Sequence, residues 1–312
     1  MYTHSDALTT LFDLLHSLSS LISHLNAQQQ AARKKGLELY HLGEFEECET
    51  PLTISASAGD VQSQYALGEA IRRREGSIGR DARAWYRLAA AQGHVYALMR
   101  LGDEASQAEA RSLAQAAADA GDGDAKLQLY ELTQDQSWLV KAGQAGCAEA
   151  YYIAALLLDK KTVGDNTSTR DSMLRYAATA QGYPPAMAWL ANMRDYYNNI
   201  PYQQTYLERR LALNELNAVL TYATALAGFD VDDNGVSRYG YATNPAHAYG
   251  LFWLVTDSTR QHPKHRDAAV YLQQLTDKLD AEKIEAGKAF GRQWKAGHPA
   301  LSEFRLTYSD LK

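Results

Sequence analysis

The sequence predicts an all-α chain: a right-handed α-solenoid of about six antiparallel helix pairs, with capping helices at both ends. Three observations carry that expectation. A ten-residue pattern recurs in one frame: Gly, three residues, Ala, three residues, Leu-Gly. After most copies, small and apolar residues return at i, i+3, i+4 and i+7, the stripe of an amphipathic helix. No stretch shows the period-two alternation of a half-buried strand. The composition agrees, since 46% hydrophobic and 22% charged residues are ordinary for a globular chain, and 7 prolines in 312 residues leave room for long helices.

Taken in order, residues 1–27 form a first segment. Leu8, Leu11, Leu15, Leu18, Ile22 and Leu25 alternate three and four apart, an a/d heptad pattern. This helix is expected to pack on the array, with self-association through residues 8–25 as the other reading. No Lys or Arg precedes Arg33, and Asp13 and His16 interrupt the apolar run, so a secretory signal does not fit. Residues 28–57 read as an incomplete first pair around Gly36, Leu39, Tyr40 and Gly43.

The repeat proper follows, within an array spanning 28–255. Its copies are Gly59-x3-Ser63-x3-Leu67-Gly68, Gly93-x3-Ala97-x3-Leu101-Gly102 and Gly121-x3-Ala125-x3-Leu129-Tyr130. Weaker ones start at Gly146 and Gly182, and a degenerate one reads Asn214-x3-Ala218-x3-Tyr222-Ala223. The second half of the unit is clearest at Ala82-x2-Trp85-Tyr86-x2-Ala89-Ala90-x2-Gly93. Its frame recurs at Ala110–Gly121, Trp138–Gly146 and Leu174–Gly182. Each block ends on a Gly able to take the left-handed conformation past a helix end. Trp85 and Leu101 are the expected core anchors. Residues 256–312 are assigned to the C-terminal cap. A helix over 245–257 opens at Asn244-Pro245, and helices over 266–281 and 282–296 follow. Their expected core positions are Val270, Leu272, Leu275, Leu279, Ile284, Phe290 and Trp294.

On the GxxxAxxxLG and AxxWYxxAAxxG motifs, matched in full from Ala82 to Gly102, the chain resembles the Sel1-like repeat family of tetratricopeptide-like α-solenoids. The resemblance covers about residues 30–255. It departs from the family in the second and third units, which lack the usual Gly-rich, Asp-containing loop. It implies a non-catalytic protein–protein interaction module: an adaptor, a scaffold or a regulator. It also suggests an alternative, a bacterial immunity protein neutralising a type VI-secreted lipase toxin. An enzyme is the remote reading.

Composition narrows the chemistry. With 31 Lys and Arg against 37 Asp and Glu, the net charge is −6, so no basic footprint for nucleic acid is visible. No apolar run reaches the length of a membrane span. Two cysteines, Cys48 and Cys147, make neither a disulfide framework nor a thiolate metal cage. Asp230-x-Asp232-x-Asn234-Gly235 has the front half of a calcium loop, but Tyr241 stands where a bidentate Glu is required, so a solvated loop is expected. His262 and His265 are close neighbours without a third ligand. No cofactor is expected, and the cytoplasm is the expected location, with the periplasm as the alternative.

What remains is surface. Positions +3 and +7 from each anchor glycine form an i, i+4 pair on one side of the first helix. They hold Gln62 with Ala66, Tyr96 with Arg100, Asp124 with Gln128, Glu149 with Ile153, and Pro185 with Trp189. Arg, Tyr and Trp are enriched at interface hot spots. Tyr96, Arg100, Ile153 and Trp189, with the cluster of Tyr196, Tyr197 and Tyr202, are therefore the candidate residues for a protein partner on the concave face. The competing expectation is that they pack on a longer loop or on the N-terminal helix.

Overall fold

A computed structural model describes residues 26–161, 167–193, 199–231 and 237–308. The heptad segment of residues 8–25 lies outside them. The described residues hold helices and no named strand; two isolated bridges pair Glu215 with Ser302 and Val231 with Ser237. The chain divides into two compact units. The first contains residues up to Tyr40 and Phe45–Gln92, the second His41–Glu44 and Gly93–Lys312.

In the first unit, helix α1 (26–42, whose last two residues belong to the second unit) is followed by α2 (Glu49–Ser57), α3 (Val61–Glu75) and α4 (Arg80–Ala90). Each of the last three packs on its chain neighbour. The glycine of the Leu-Gly step has a steric role here. Gly68 sits inside α3, and a Cβ there would lie 2.6 Å from the Tyr86 ring. Tyr86 is fully buried, and its hydroxyl donates to the buried carboxylate of Glu69 at 2.7 Å. The expected anchor, Trp85, is only half-buried. It is the second aromatic of the Trp-Tyr pair that enters the core, because the stripe through Ala82, Ala89 and Ala90 passes through position 86.

The second unit continues with α5 (Val95–Leu101), α6 (Glu104–Asp119), α7 (Gly123–Thr133), α8 (Ser137–Gln144), α9 (Ala148–Lys161), α10 (Thr167–Thr179), α11 (Pro184–Ala191), α12 (Ile200–Ala212) and α13 (Leu216–Leu226). The cap is α14 (Pro245–Ser258), α15 (Pro263–Thr276) and α16 (Ala281–Gly297). Consecutive helices pack on each other throughout α5–α13, and α14 packs on α13, α15 and α16.

The repeat frame fixes the turns. Gly59, Gly93, Gly121, Gly146 and Gly182 all have positive φ, and Asn214 keeps φ 52° in the degenerate copy. The turn is a Schellman motif. Gly121 N donates to Ala118 O at 3.0 Å and Asp122 N to Ala117 O at 3.1 Å, and Asn214 and Glu215 repeat both bonds with Leu211 and Arg210. The residue after the anchor then caps the next helix. Asp60, His94, Asp122 and Glu215 each accept backbone N–H bonds from the first turn.

Position +4 is buried in every copy, as Ser63, Ala97, Ala125, Ala150, Ala186 and Ala218. Leu101 is half-buried, because Gly102 turns left-handed at φ 77° and ends α5 there; Leu98 and Met99 are buried instead. In the cap, Leu275 is buried and Val270 is 51% exposed, so position 270 faces outward rather than into the core. The α14–α16 contact is backbone on backbone: a Cβ on Gly291 would lie 2.5 Å from Gly250 O, and one on Gly287 would lie 2.5 Å from Ala246 O.

Candidate functional site: a groove holding the C-terminal segment

The Schellman turn and its cap set where each first helix of a pair begins, and so which side its +3 and +7 residues occupy. In the second unit Tyr96, Arg100 and Glu149 meet the C-terminal segment, and Pro185 and Trp189 line a groove beyond it. That segment leaves the helical pattern past α16, at His298-Pro299, and runs back to these residues.

The path is fixed by hydrogen bonds. Asn214 Nδ2 donates to Pro299 O at 2.7 Å. Ser302 N donates to Asn214 O at 3.2 Å, and Leu216 N donates to Ser302 O at 2.9 Å. Glu303 N reaches His41 O at 3.1 Å, while the Glu303 carboxylate pairs with His262 and Arg305. Leu306 packs against the buried cluster containing Leu127, Tyr130, Leu139 and Ile153. Thr307 donates from both its N–H and its hydroxyl to the two oxygens of Glu149, each at 2.7 Å. At Tyr308, the carbonyl accepts from Arg100 Nη2 at 2.9 Å. The Tyr308 ring stacks on Tyr96, with centroids 5.2 Å apart and planes 16° apart, and Arg100 Cζ lies 3.9 Å from its centroid.

The seat is acidic with one strong cation. Burial and the neighbouring Glu149 charge push Glu131 up to about 7, against the pull of Arg100. Glu149 is also raised, chiefly by burial, with the two Thr307 bonds holding it back and Asp124 adding to the rise. Burial alone would raise Glu303, but the His262 hydrogen bond and Arg305 outweigh it and hold its carboxyl below the usual value. Cys147 is buried and its thiol is pushed up to about 12, mainly by burial, so the helix start there does not make a thiolate.

Beyond the segment the groove stays open. A cavity of about 770 Å³ is lined by Tyr152, Pro185, Trp189, Met193, the buried Arg210–Glu215 ion pair and Glu303. Glu303 thus borders the cavity and also anchors the tail.

The sequence candidates do not share one place. Tyr96 and Arg100 meet the tail; Tyr96 is only 7% exposed, so it is packed rather than a bare surface residue. Ile153 is fully buried in the cluster under Leu306, which corrects its assignment to an accessible surface: the +7 side of α9 points into the core. Trp189 is half-buried and lines the cavity. Tyr202 meets Tyr206 with centroids 4.7 Å apart and rings tilted by 59°, and is not among the cavity's lining residues. Tyr196 and Tyr197 lie outside the described residues, as do positions 232–236 of the acidic loop. Asp230 accepts from Ser237 Oγ at 2.7 Å. His262 caps α15 through Lys264 N and pairs with Glu303, and His265 meets Thr259. Among the described residues no helix is long and apolar enough to cross a membrane.

Sequence reasoning missed Glu131, Thr307 and Tyr308, and placed Glu149 in the frame without choosing it. A signal was present: after Pro299 the helical periodicity stops, and Arg305-Leu306-Thr307-Tyr308 offers hydroxyl, aromatic and charge to an acidic surface.

No family model matches the chain, and no curated protein matches it. Among solved structures it is similar to a protective antigen of uropathogenic Escherichia coli displaying an SLR fold. That likeness has 17% identity and a TM-score of 0.37, covering 86% of this chain and 77% of that one. It is also similar to a Sel1 repeat protein from Oxalobacter formigenes, with 18% identity and a TM-score of 0.34, covering 66% of this chain and 96% of that one.

Proposed function

We propose that this chain is a non-catalytic interaction module that binds a segment of another protein in the groove of its second unit. One observation supports the reading above the others. The +3 and +7 residues Tyr96, Arg100 and Glu149 already hold a stretch of polypeptide outside any helix, through a main-chain carbonyl, a main-chain N–H, a hydroxyl and an aromatic ring. Main-chain bonds supply affinity for any extended segment, and side-chain pockets supply choice between segments. The open cavity next to it offers Trp189 and Tyr152, aromatic surface of the kind that dominates interfaces.

The narrower role of an immunity protein against a secreted lipase is a special case of the same reading. The acidic net charge of −6 is compatible with it. Co-purification of a lipase toxin from the native organism would support it.

The test of the general reading is a pull-down followed by titration of the recovered partner. Trp189→Ala is expected to weaken binding by roughly 1–3 kcal/mol, as hot-spot truncations do. Gln62→Ala, an exposed +3 residue in the first unit, is the control and should change nothing. A folded Trp189→Ala chain that binds its partner as tightly as the wild type would show that another face is used.

A further inference from the structure

We infer that the seat formed by Tyr96, Arg100 and Glu149 is a receptor site for a peptide carrying a hydroxyl residue followed by an aromatic one. The chain's own Thr307-Tyr308 occupies it as an exchangeable stand-in. This deepens the interaction reading: it names the chemistry of the partner segment and says what must leave for it to bind.

Three features support exchange rather than permanent packing. First, the recognition is local to two residues. Glu149 takes both donors of Thr307, and Arg100 takes the carbonyl and ring of Tyr308, so any segment presenting that pair meets the same bonds. Second, the tail is held in two separate stretches. Residues 299–303 are tied to Asn214, Leu216, His41 and His262, and Leu301 enters the buried cap cluster. The stretch at 306–308 meets a different set of elements, with Leu306 on the cluster shared by α7, α8 and α9 and the bonds above reaching α5 and α9, so it can lift while 299–303 stays anchored. Third, the vacated stretch would lie on the same row of +3 and +7 positions that borders the open cavity at Pro185 and Trp189. An incoming chain therefore has a free landing surface beside the filled one.

A tethered tail competes at an effective concentration that short linkers place in the millimolar range, so a free peptide is held off unless the tail's grip is weakened. The experiment is fluorescence anisotropy with a labelled synthetic peptide of residues 302–312, titrated with two full-length chains. One is the wild type; the other carries Thr307→Val and Tyr308→Ala, which keep the tail's length and its 299–303 anchor. The double variant is expected to bind the peptide at least tenfold more tightly than the wild type. Adding Glu149→Gln and Arg100→Ala to the double variant should abolish that gain, and circular dichroism reports whether each chain is folded. If a chain with α5 or α9 altered loses helicity, a peptide carrying the same Val and Ala replacements is used against the double variant and should fail to bind. Equal binding by the wild type and the double variant, or binding by neither, overturns the inference. So does a wild-type chain that dimerises with rising concentration, because the seat would then belong to a second copy's tail. A partner that is sensitive to Trp189→Ala while the peptide fails leaves the interaction reading standing and removes only the exchange.

Discussion

Asn214 stands where five other copies carry glycine, and it keeps the left-handed backbone at φ 52°. Its side chain then does what glycine cannot: Oδ1 accepts from Trp294 Nε1 at 2.9 Å and Nδ2 donates to Pro299 O at 2.7 Å. Asn214→Gly would relax the backbone but remove both bonds, so restoring the repeat's own residue should destabilise the chain by roughly 1–3 kcal/mol. Urea unfolding checks this, and a gain in stability would contradict it. Glu131 gives a second expectation at this scale. Its carboxyl is raised to about 7 in the fold, above its unfolded value, so its protonated form is the one the fold favours. The stability it contributes is full below about pH 4.3 and is lost as pH rises through about 7. Glu131→Gln should therefore raise the melting temperature at pH 8 relative to the wild type. The difference should shrink towards pH 5.

At the scale of the element, the sequence pattern identified the helices and their turns because both follow from local rules. The glycine anchors and the capping residues after them are neighbours in the chain. Side-chain direction within a helix was less legible. Trp85 and Tyr86 are adjacent, and the motif alone does not say which of them lies on the stripe. The fold does: Tyr86→Ala should cost roughly 3–5 kcal/mol, as burying a large aromatic implies, and Trp85→Ala distinctly less. Chemical denaturation of the two variants decides the order. Val270 was misplaced for the same reason, since α15 has more apolar positions than its buried stripe can hold. The cap adds a third case. Gly250, Gly287 and Gly291 let α14 and α16 touch through their backbones, so a methyl group at Gly250 would overlap the carbonyl of Gly287. Gly250→Ala should separate these helices, with hydrogen-exchange protection lost in α14 and α16 before α9. Uniform protection would show that the contact is looser than drawn.

For the whole molecule, the repeat was legible and the groove's occupant was not. Tyr96 and Arg100 stood out because their residue types exceed what packing of a helix pair requires. The segment that meets them lies far along the chain, and nothing local to α5 refers to Tyr308. Ile153 was chosen for the same frame position and is core, because Leu306 and the cluster beneath it close over that side of α9. The alternative expectation was that these side chains pack on a longer loop or on the N-terminal helix. It did not foresee the C-terminal tail, whose Tyr308 meets both side chains.

The tail's position also has a bearing on the order of events in folding. Nearly every contact in the stacked pairs joins helices adjacent in the chain, and such contacts close small loops. The bond from Arg100 to Tyr308 spans 208 residues and that from Thr307 to Glu149 spans 158. Closing so wide a loop is entropically later than zipping neighbours together. In refolding, the helices should appear first and the Tyr96–Tyr308 stack last. For that interval the molecule is a finished array with an empty groove, open to whatever peptide arrives before its own end does.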